Sequence, residues 1–247
     1  VDSVIENIGT QGQITLGIQG CITKTLELWL EGLKSKKIDK NWVKTIKTTR
    51  EKWLEELTRH INNENKPISP ARLVHSVEKF IQKDAIITLD VGDHVLWFNK
   101  VFRGQNQDIL ISGSWRSMGF GLPAALSAKL EYPDRQVIAL LGDGGLTMSM
   151  GELIVAKERG IAVKVIVFNN KSLAMEKNKM IVSGLSQTGT NILNPDFNQV
   201  ALACGWESYK VKNIRDLDDT IKKALESNRP ALVDVEVDAP IPDHTSM

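Results

Sequence analysis

The sequence predicts an α/β fold, a doubly wound parallel sheet with helices on both faces, and three observations indicate it. Short apolar and β-branched runs lack polar alternation, as expected of parallel strands covered on both sides. Between them lie segments with apolar residues at every third or fourth position, which is the helical pattern. Proline or glycine stands at several ends of these segments, where helices start and stop. Strand–helix alternation of this kind predicts right-handed crossovers.

The predicted elements alternate from residue 69 onward. Strands are expected at 85–94, 136–145, 163–172, 206–211 and 231–238, and helices at 69–83, 122–132, 149–160, 194–205 and 213–227. Residues 1–66 have a different pattern, with a short extended segment, then helices and a polar linker, and they predict the C-terminal part of a second α/β domain. The sheet domain is expected over 67–247. Because the sequence lacks an initiating Met and opens in mid-pattern, we expect a fragment.

Composition narrows the classes of function. The formal net charge of +1 creates no global field that would attract nucleic acid, so no nucleic-acid partner is expected. Cys21 and Cys204 lie far apart and have no metal-ligand spacing, which favours a reducing cytoplasm. No apolar run approaches the 18 residues or so of a membrane span. The pattern therefore predicts a cytoplasmic protein.

Two strand ends carry unusual chemistry, Gly142-Asp143-Gly144-Gly145 and Asn169-Asn170-Lys171-Ser172. Since the carboxyl ends of parallel strands meet at one edge of a sheet, the two loops are expected to be neighbours. A carboxylate, an amide oxygen and the Ser172 carbonyl are hard ligands that suit Mg²⁺ completed by phosphate oxygens. The glycines let backbone N–H groups approach an anion, and a helix expected to start near Met148 would direct its positive end there. Either loop alone also fits an ordinary turn.

The spacing of these loops, GDG followed after 24 residues by NN, resembles the diphosphate-binding signature of thiamine diphosphate (ThDP) enzymes. Residues 90–99 and 112–145 look like the same domain of the pyruvate oxidase and acetolactate synthase group, and the resemblance covers about residues 68–238. The first 60 residues look like the tail of that group's central domain, which carries FAD in several members. The resemblance implies ThDP and Mg²⁺ as cofactors, and FAD in the full-length protein.

The resemblance also implies roles for individual residues. Asp143, Asn170 and the main-chain oxygen of Ser172 would bind Mg²⁺. Met118, 25 positions before Asp143, would wedge between the two rings of ThDP, and the Arg116 carbonyl would accept a hydrogen bond from the pyrimidine amino group. Contacts with the diphosphate are implied for Asp93, His94, Gly142, Gly144, Gly145 and Leu146.

The segment after the NN loop bears on the branch of the family. Acetolactate synthases place Gln-Trp where this sequence has Asn178-Lys179. The segment instead looks like pyruvate oxidases, in which Met175 would occupy the position that faces the substrate. Lys179 replaces a family glutamate, which is a departure from the pyruvate-specific pattern.

The expected activity is therefore decarboxylation of a 2-oxo acid, pyruvate in the first instance, with oxidation of the hydroxyethyl intermediate. One alternative is a carboligase of the acetolactate synthase or sulfoacetaldehyde acetyltransferase type, and another is a non-catalytic cofactor-binding module. The family's activating glutamate lies in an N-terminal pyrimidine-binding domain of a neighbouring subunit. A homodimer or homotetramer is therefore implied, and the chain alone is expected to be inactive.

Overall fold

A computed structural model describes residues 1–10, 12–33 and 37–241. Contacts divide the chain into two compact units, Val1–Trp53 and Leu54–Met247. The first unit contains a 3-10 turn (Ile5–Asn7), helix α1 (Ile22–Leu33) and the beginning of α2 (Lys40–Ile61). The predicted domain boundary near residue 66 stays a prediction about domain organisation. Residues 11, 34–36 and 242–247 of the two predicted domains lie outside the described ranges.

The second unit is built on a six-stranded, wholly parallel sheet, which confirms the predicted fold class. Its strands are β1 (Ile86–Leu89), β2 (Asp108–Ile111), β3 (Val137–Gly142), β4 (Lys164–Asn169), β5 (Glu207–Val211) and β6 (Ala231–Glu236). They lie in the order β2-β1-β3-β4-β6-β5. The strand order therefore reverses between β1 and β3, and such a switch point opens a crevice at the carboxyl ends of the strands.

Helices cover the strands on both sides. They are α3 (Pro70–Phe80), α4 (Asp93–Val101), α5 (Gly121–Glu131), α6 (Asp143–Ser149), α7 (Glu152–Glu158), α8 (Ala174–Val182), α9 (Phe197–Ala203) and α10 (Leu217–Glu226). Apolar residues of α5, α7 and α9 pack in one buried cluster with alternate residues of β3 and β4. Helix α3 packs against α4 and α10. No helix within the described ranges has the length and apolar character needed to cross a membrane.

The structure corrects the predicted elements around the strand ends. The predicted strand at 136–145 stops at Gly142, and α6 begins at Asp143 rather than near Met148. The glycines continue as a helical turn because the next residue, Leu146, is anchored in the core with none of its surface exposed. Strand β2 is absent from the predicted elements, since it is a four-residue edge strand whose side chains are all exposed. Helices α4 and α8 were likewise not expected.

Candidate functional site

The loops that follow β1, β3 and β4 surround one cavity at the carboxyl edge of the sheet. The cavity encloses about 650 Å³, counting the space at its open mouth. Ten of the twelve residues that the resemblance singles out line it: Asp93, His94, Met118, Gly142, Asp143, Gly144, Gly145, Asn170, Ser172 and Met175. Residues far apart in sequence therefore meet at the switch point of the sheet, where ligands bind in open α/β folds.

Asp143 is the first residue of α6, and only 2% of it is exposed. Its buried carboxylate accepts hydrogen bonds from three N–H groups. Its Oδ1 accepts from the Gly144 amide at 2.9 Å, and its Oδ2 accepts from the Lys171 amide at 2.6 Å. The Asn194 side chain also donates to Oδ2, at 2.7 Å. Burial raises the pKa of Asp143, and these hydrogen bonds oppose the increase. A bound cation would stabilise the ionised form.

The loop after β4 folds directly against Asp143. Lys171 adopts a left-handed conformation, with φ of 56°, which turns the chain so that its amide reaches the carboxylate. The Ser172 amide donates to Asn170 Oδ1 at 3.1 Å, a local turn that orients the Asn170 side chain. The Leu173 amide donates to the Thr190 carbonyl at 2.7 Å and ties the loop to a later segment. The three predicted metal ligands therefore line the same cavity, Asp143 from the start of α6 and Asn170 and Ser172 from the loop after β4.

The oxygen atoms that could ligate a metal in this cavity suit a hard cation. They are a carboxylate, an amide oxygen and a main-chain carbonyl, a set that suits Mg²⁺ sharing its coordination with phosphate and water. Among the described residues there is no cluster of three or more His, Cys, Asp or Glu side chains that could hold a metal. Ser172 Oγ is buried and has no partner among the described residues, so a polar group also remains available at the loop.

Asp90, which the sequence analysis missed, organises the floor of the site. The residue is fully buried, and its carboxylate accepts from the amides of Val91 at 2.6 Å, Gly119 at 3.0 Å and Gly121 at 3.2 Å. Burial is the largest influence on its pKa and raises it. Two of these bonds hold Gly119 and Gly121, the residues on either side of Phe120. They therefore fix the segment that directly follows Met118. The available signal was an acidic residue directly after a short, mostly apolar strand.

Asp93 connects α4 to α8. Its carboxylate accepts from the indole nitrogen of Trp97 at 3.0 Å and from the Asn178 side chain at 3.4 Å. Burial raises the pKa of Asp93, and these two donors oppose the increase. Asn178 is buried, and at this position, where acetolactate synthases have glutamine, its side chain attaches α8 to the start of α4. A contact between Asp93 and a diphosphate stays a prediction.

Met118 and Gly144 face each other in the cavity. A Cβ atom at Gly144 would lie 3.1 Å from the Met118 Cε atom and 3.0 Å from the Leu173 Cδ2 atom, so any larger residue would require the ends of these two side chains to shift. Arg116 does not line the cavity, although its φ of 47° shows a left-handed turn just before Met118. The Leu146 side chain lies in the core, which leaves only its main chain for the predicted diphosphate contact.

His94 is a buried imidazole on the cavity wall, where its ring lies 5.5 Å from the ring of Phe168. Its Nε2 atom has no hydrogen-bond partner among the described residues. Burial lowers the pKa of His94 to about 4, while backbone hydrogen bonds with Asp90 and Leu140 oppose the decrease. The ring is therefore neutral near pH 7.

This pKa predicts a pH dependence of stability. Below the unfolded-state pKa of about 6.5 the unfolded chain binds a proton that the folded chain does not, so the free energy of unfolding falls as the pH drops from about 6.5 to about 4. The loss should approach about 3 kcal/mol at the lower end. Urea unfolding at several pH values should show a shallower slope in His94→Gln, whereas His75→Gln, a control outside the cavity, should keep the original slope. Equal slopes in all three proteins would contradict the assignment to His94.

Comparison with known proteins identifies the family to which this site belongs. Residues 90–235 match the C-terminal TPP binding domain of thiamine pyrophosphate enzymes. A Bacillus subtilis protein with the provisional name thiamine pyrophosphate-containing protein YdaP is 29% identical over 98% of this chain and 42% of its own length. The acetolactate synthase large subunit of Lactococcus lactis is 34% identical over 79% of this chain and 34% of its own length.

A eukaryotic relative covers most of the chain as well. The mitochondrial acetolactate synthase catalytic subunit of Saccharomyces cerevisiae is 29% identical over 96% of this chain and 35% of its own length. The chain thus spans less than half the length of these curated relatives. Together with the cavity at the sheet edge, the match over residues 90–235 shows that the chain belongs to the thiamine pyrophosphate enzyme family and contains its C-terminal TPP-binding domain.

Proposed function

We propose that this chain supplies the diphosphate- and Mg²⁺-binding half of the active site of a carboligase of the acetolactate synthase type. The observation that carries the proposal is the convergence of Asp143, Asn170 and Ser172 in one cavity with the glycines of the loop after β3. The acetolactate synthase relatives support carboligation over the oxidative activity that the sequence first suggests. The proposed substrate is a 2-oxo acid, with pyruvate as the first candidate.

Different residues of the chain would bind the cation, the diphosphate and the rings of ThDP. Asp143, Asn170 and the Ser172 carbonyl would hold the cation, which would neutralise the charge of the diphosphate, and the main-chain amides of Gly145 and Leu146, with that of Gly144, would be the donors nearest to it. The apolar side chain of Met118 would support the rings of the cofactor and help to keep water out. When bound, ThDP supplies the electron sink for loss of CO₂ from the 2-oxo acid.

The pyrimidine half of the site would come from another part of the assembly. In the pyruvate oxidase and acetolactate synthase group, a glutamate of an N-terminal domain in a neighbouring subunit activates ThDP. Because the chain spans 34% of the Lactococcus lactis subunit, the proposal assigns this glutamate to a region outside residues 1–247. A homodimer or homotetramer would complete the site.

One observation favours a second candidate, a pyruvate oxidase-like activity. Asn178 is buried against Asp93, and Lys179 is exposed and pairs with Glu176 at 3.2 Å, where acetolactate synthases place Gln-Trp. The tryptophan that shapes the pocket for a second 2-oxo acid is thus replaced by a surface lysine. This candidate activity requires an electron acceptor, and we propose FAD, which several members of the group carry.

Product analysis separates these functions. Full-length protein supplied with pyruvate, ThDP and Mg²⁺ should form acetolactate, detected by its acid-catalysed conversion to acetoin. Acetate formed together with a reduced electron acceptor would support the pyruvate oxidase-like candidate instead. Sulfoacetaldehyde with phosphate tests the alternative activity of the sulfoacetaldehyde acetyltransferase type. No turnover despite Mg²⁺-dependent ThDP binding would indicate a non-catalytic cofactor-binding module.

A further inference from the structure

We propose that three polar side chains, the half-buried Asn194 and the buried Asn169 and Asp234, form a relay that selects which oxygen of Asp143 binds the metal and thereby sets the affinity for Mg²⁺. We call these residues the Asn194 relay. The inference rests on the proposed metal-binding role of Asp143. It assigns a positioning role to three residues that do not themselves line the cofactor cavity.

The relay is a continuous series of hydrogen bonds that starts at the carboxylate of Asp143. The Asn194 amide nitrogen donates to Asp143 Oδ2 at 2.7 Å and to Asn169 Oδ1 at 3.1 Å. The Asn169 amide nitrogen in turn donates to Asp234 Oδ1 at 2.9 Å. The series thus runs from the start of α6, through the end of β4, to the interior strand β6.

The chemistry of the groups determines the direction of every bond in this series. An ionised carboxylate can only accept, so Asp234 requires Asn169 to turn its nitrogen toward β6 and its oxygen toward Asn194. Asn194 must then present its nitrogen to the oxygen of Asn169 and to Asp143 together. Its own Oδ1 is buried and has no partner among the described residues, so its donors alone orient the amide.

The two carboxylate oxygens of Asp143 differ in how many of their hydrogen-bond acceptor positions are occupied. Each oxygen of a carboxylate offers about two lone-pair directions. Among the described residues, Oδ2 accepts from Asn194 and from the Lys171 amide, whereas Oδ1 accepts from the Gly144 amide. The Ser172 amide, which also lowers the pKa of Asp143, donates to Asn170 Oδ1. Oδ1 therefore keeps one free direction, and it is the oxygen that we assign to the metal. Without Asn194, Oδ2 would also have a free direction and the carboxylate would lose one of its restraints.

The surroundings of the relay support a role beyond filling space. Asp234 is 2% exposed and Asn169 is 8% exposed, so the bond between them lies in a region of low dielectric where orientation is strongly maintained. All three members also line a second, polar cavity of about 590 Å³, counting its open mouth, on the other side of the loop after β4. Outer partners of metal ligands typically contribute 10- to 100-fold in metal affinity.

The test compares two asparagines in the full-length protein. Asn194→Ala should weaken Mg²⁺ binding, titrated at saturating ThDP and followed by tryptophan fluorescence, by about 10- to 100-fold. Asn198→Ala is the matched control, because Asn198 also donates a side-chain hydrogen bond, to Ser208 Oγ at 3.1 Å, but lies outside the relay. It should change the Mg²⁺ dissociation constant by less than about twofold, in contrast to the range for partners of metal ligands. An equally small change in Asn194→Ala would overturn the proposal.

A second pair of variants tests orientation rather than stability. Asp234→Asn keeps an oxygen that can accept from Asn169 and should retain Mg²⁺ affinity within about threefold, whereas Asp234→Leu has no acceptor and should resemble Asn194→Ala. Equal affinities in the two Asp234 variants would contradict a relay. Asp143→Ala separates this inference from the proposed function: unchanged Mg²⁺ binding there refutes the site itself, while its loss with a normal Asn194→Ala refutes the relay alone.

Discussion

Replacement of Asp143 by alanine is expected to weaken the Mg²⁺-dependent binding of ThDP by more than about 100-fold, beyond the range for outer partners of a metal ligand. The carboxylate is the one charged ligand among the three proposed, and it is only 2% exposed, so water replaces it poorly. Its loss also leaves the donors of Lys171 and Asn194 without their acceptor. Both the negative charge available to the metal and the shape of the loop after β4 would change.

Calorimetric titration of ThDP into full-length protein, with and without Mg²⁺, measures this effect. Asp134→Ala is the control, because Asp134 is exposed and lies just before β3, at the opposite edge of the sheet. It should bind as the unchanged protein does. Retention of Mg²⁺-dependent binding in Asp143→Ala would remove the proposed metal site, and loss of binding in both variants would indicate a general effect of charge.

The substitution Gly145→Ala is expected to destabilise the fold by about 1–3 kcal/mol, the usual range for overpacking a core. A Cβ atom at this position would lie 2.9 Å from both Cγ and Oδ2 of Asp90, well inside contact distance. Asp90 cannot move aside easily, since its carboxylate accepts from the backbone amides of Val91, Gly119 and Gly121. The clash therefore separates α6 from the loop that carries Met118, and ThDP affinity should fall as well.

Gly151→Ala provides the matched control for this substitution. Gly151 immediately precedes α7, has helical angles, and has open space where a Cβ atom would lie. Alanine there should leave stability unchanged or raise it by about 0.4–1 kcal/mol, because the unfolded chain loses conformational freedom. Urea unfolding of both variants measures the difference. Similar effects at the two positions would show that close packing around Asp90 does not explain the need for glycine.

Much of the fold could be predicted because parallel strands leave a strong pattern. The runs that became β3 and β4 are apolar at nearly every position, since helices cover both of their faces. Strand β2 leaves no such pattern, because its four residues form an exposed edge and pair only with β1. The start of α6 was predicted too late because two adjacent glycines usually indicate a turn, and here the packing of Leu146 outweighs that preference.

The candidate site could be predicted in part for a similar reason. Asp143 and Asn170 each follow a buried strand, so the topology of the sheet alone predicts that the two residues lie close together. Asp90 was missed, because an isolated carboxylate has no spacing that distinguishes it from a surface residue, and Asn178 was noted only as a departure from the acetolactate synthase pattern. Their partners, Gly119 and Asp93, lie far away in sequence, and only folding brings each pair together.

The sequence by itself thus determined the sheet, the family and the two strand-end loops, because periodicity and local spacing are properties of contiguous residues. Only the tertiary structure decided the direction of the hydrogen bonds behind Asp143. Asn194 and Asp234 lie on separate elements, and their side chains meet through Asn169 at the end of β4. The physical reason is that a buried amide takes its orientation from whichever donors and acceptors surround it, and in this protein the packing of the parallel strands brings those groups together.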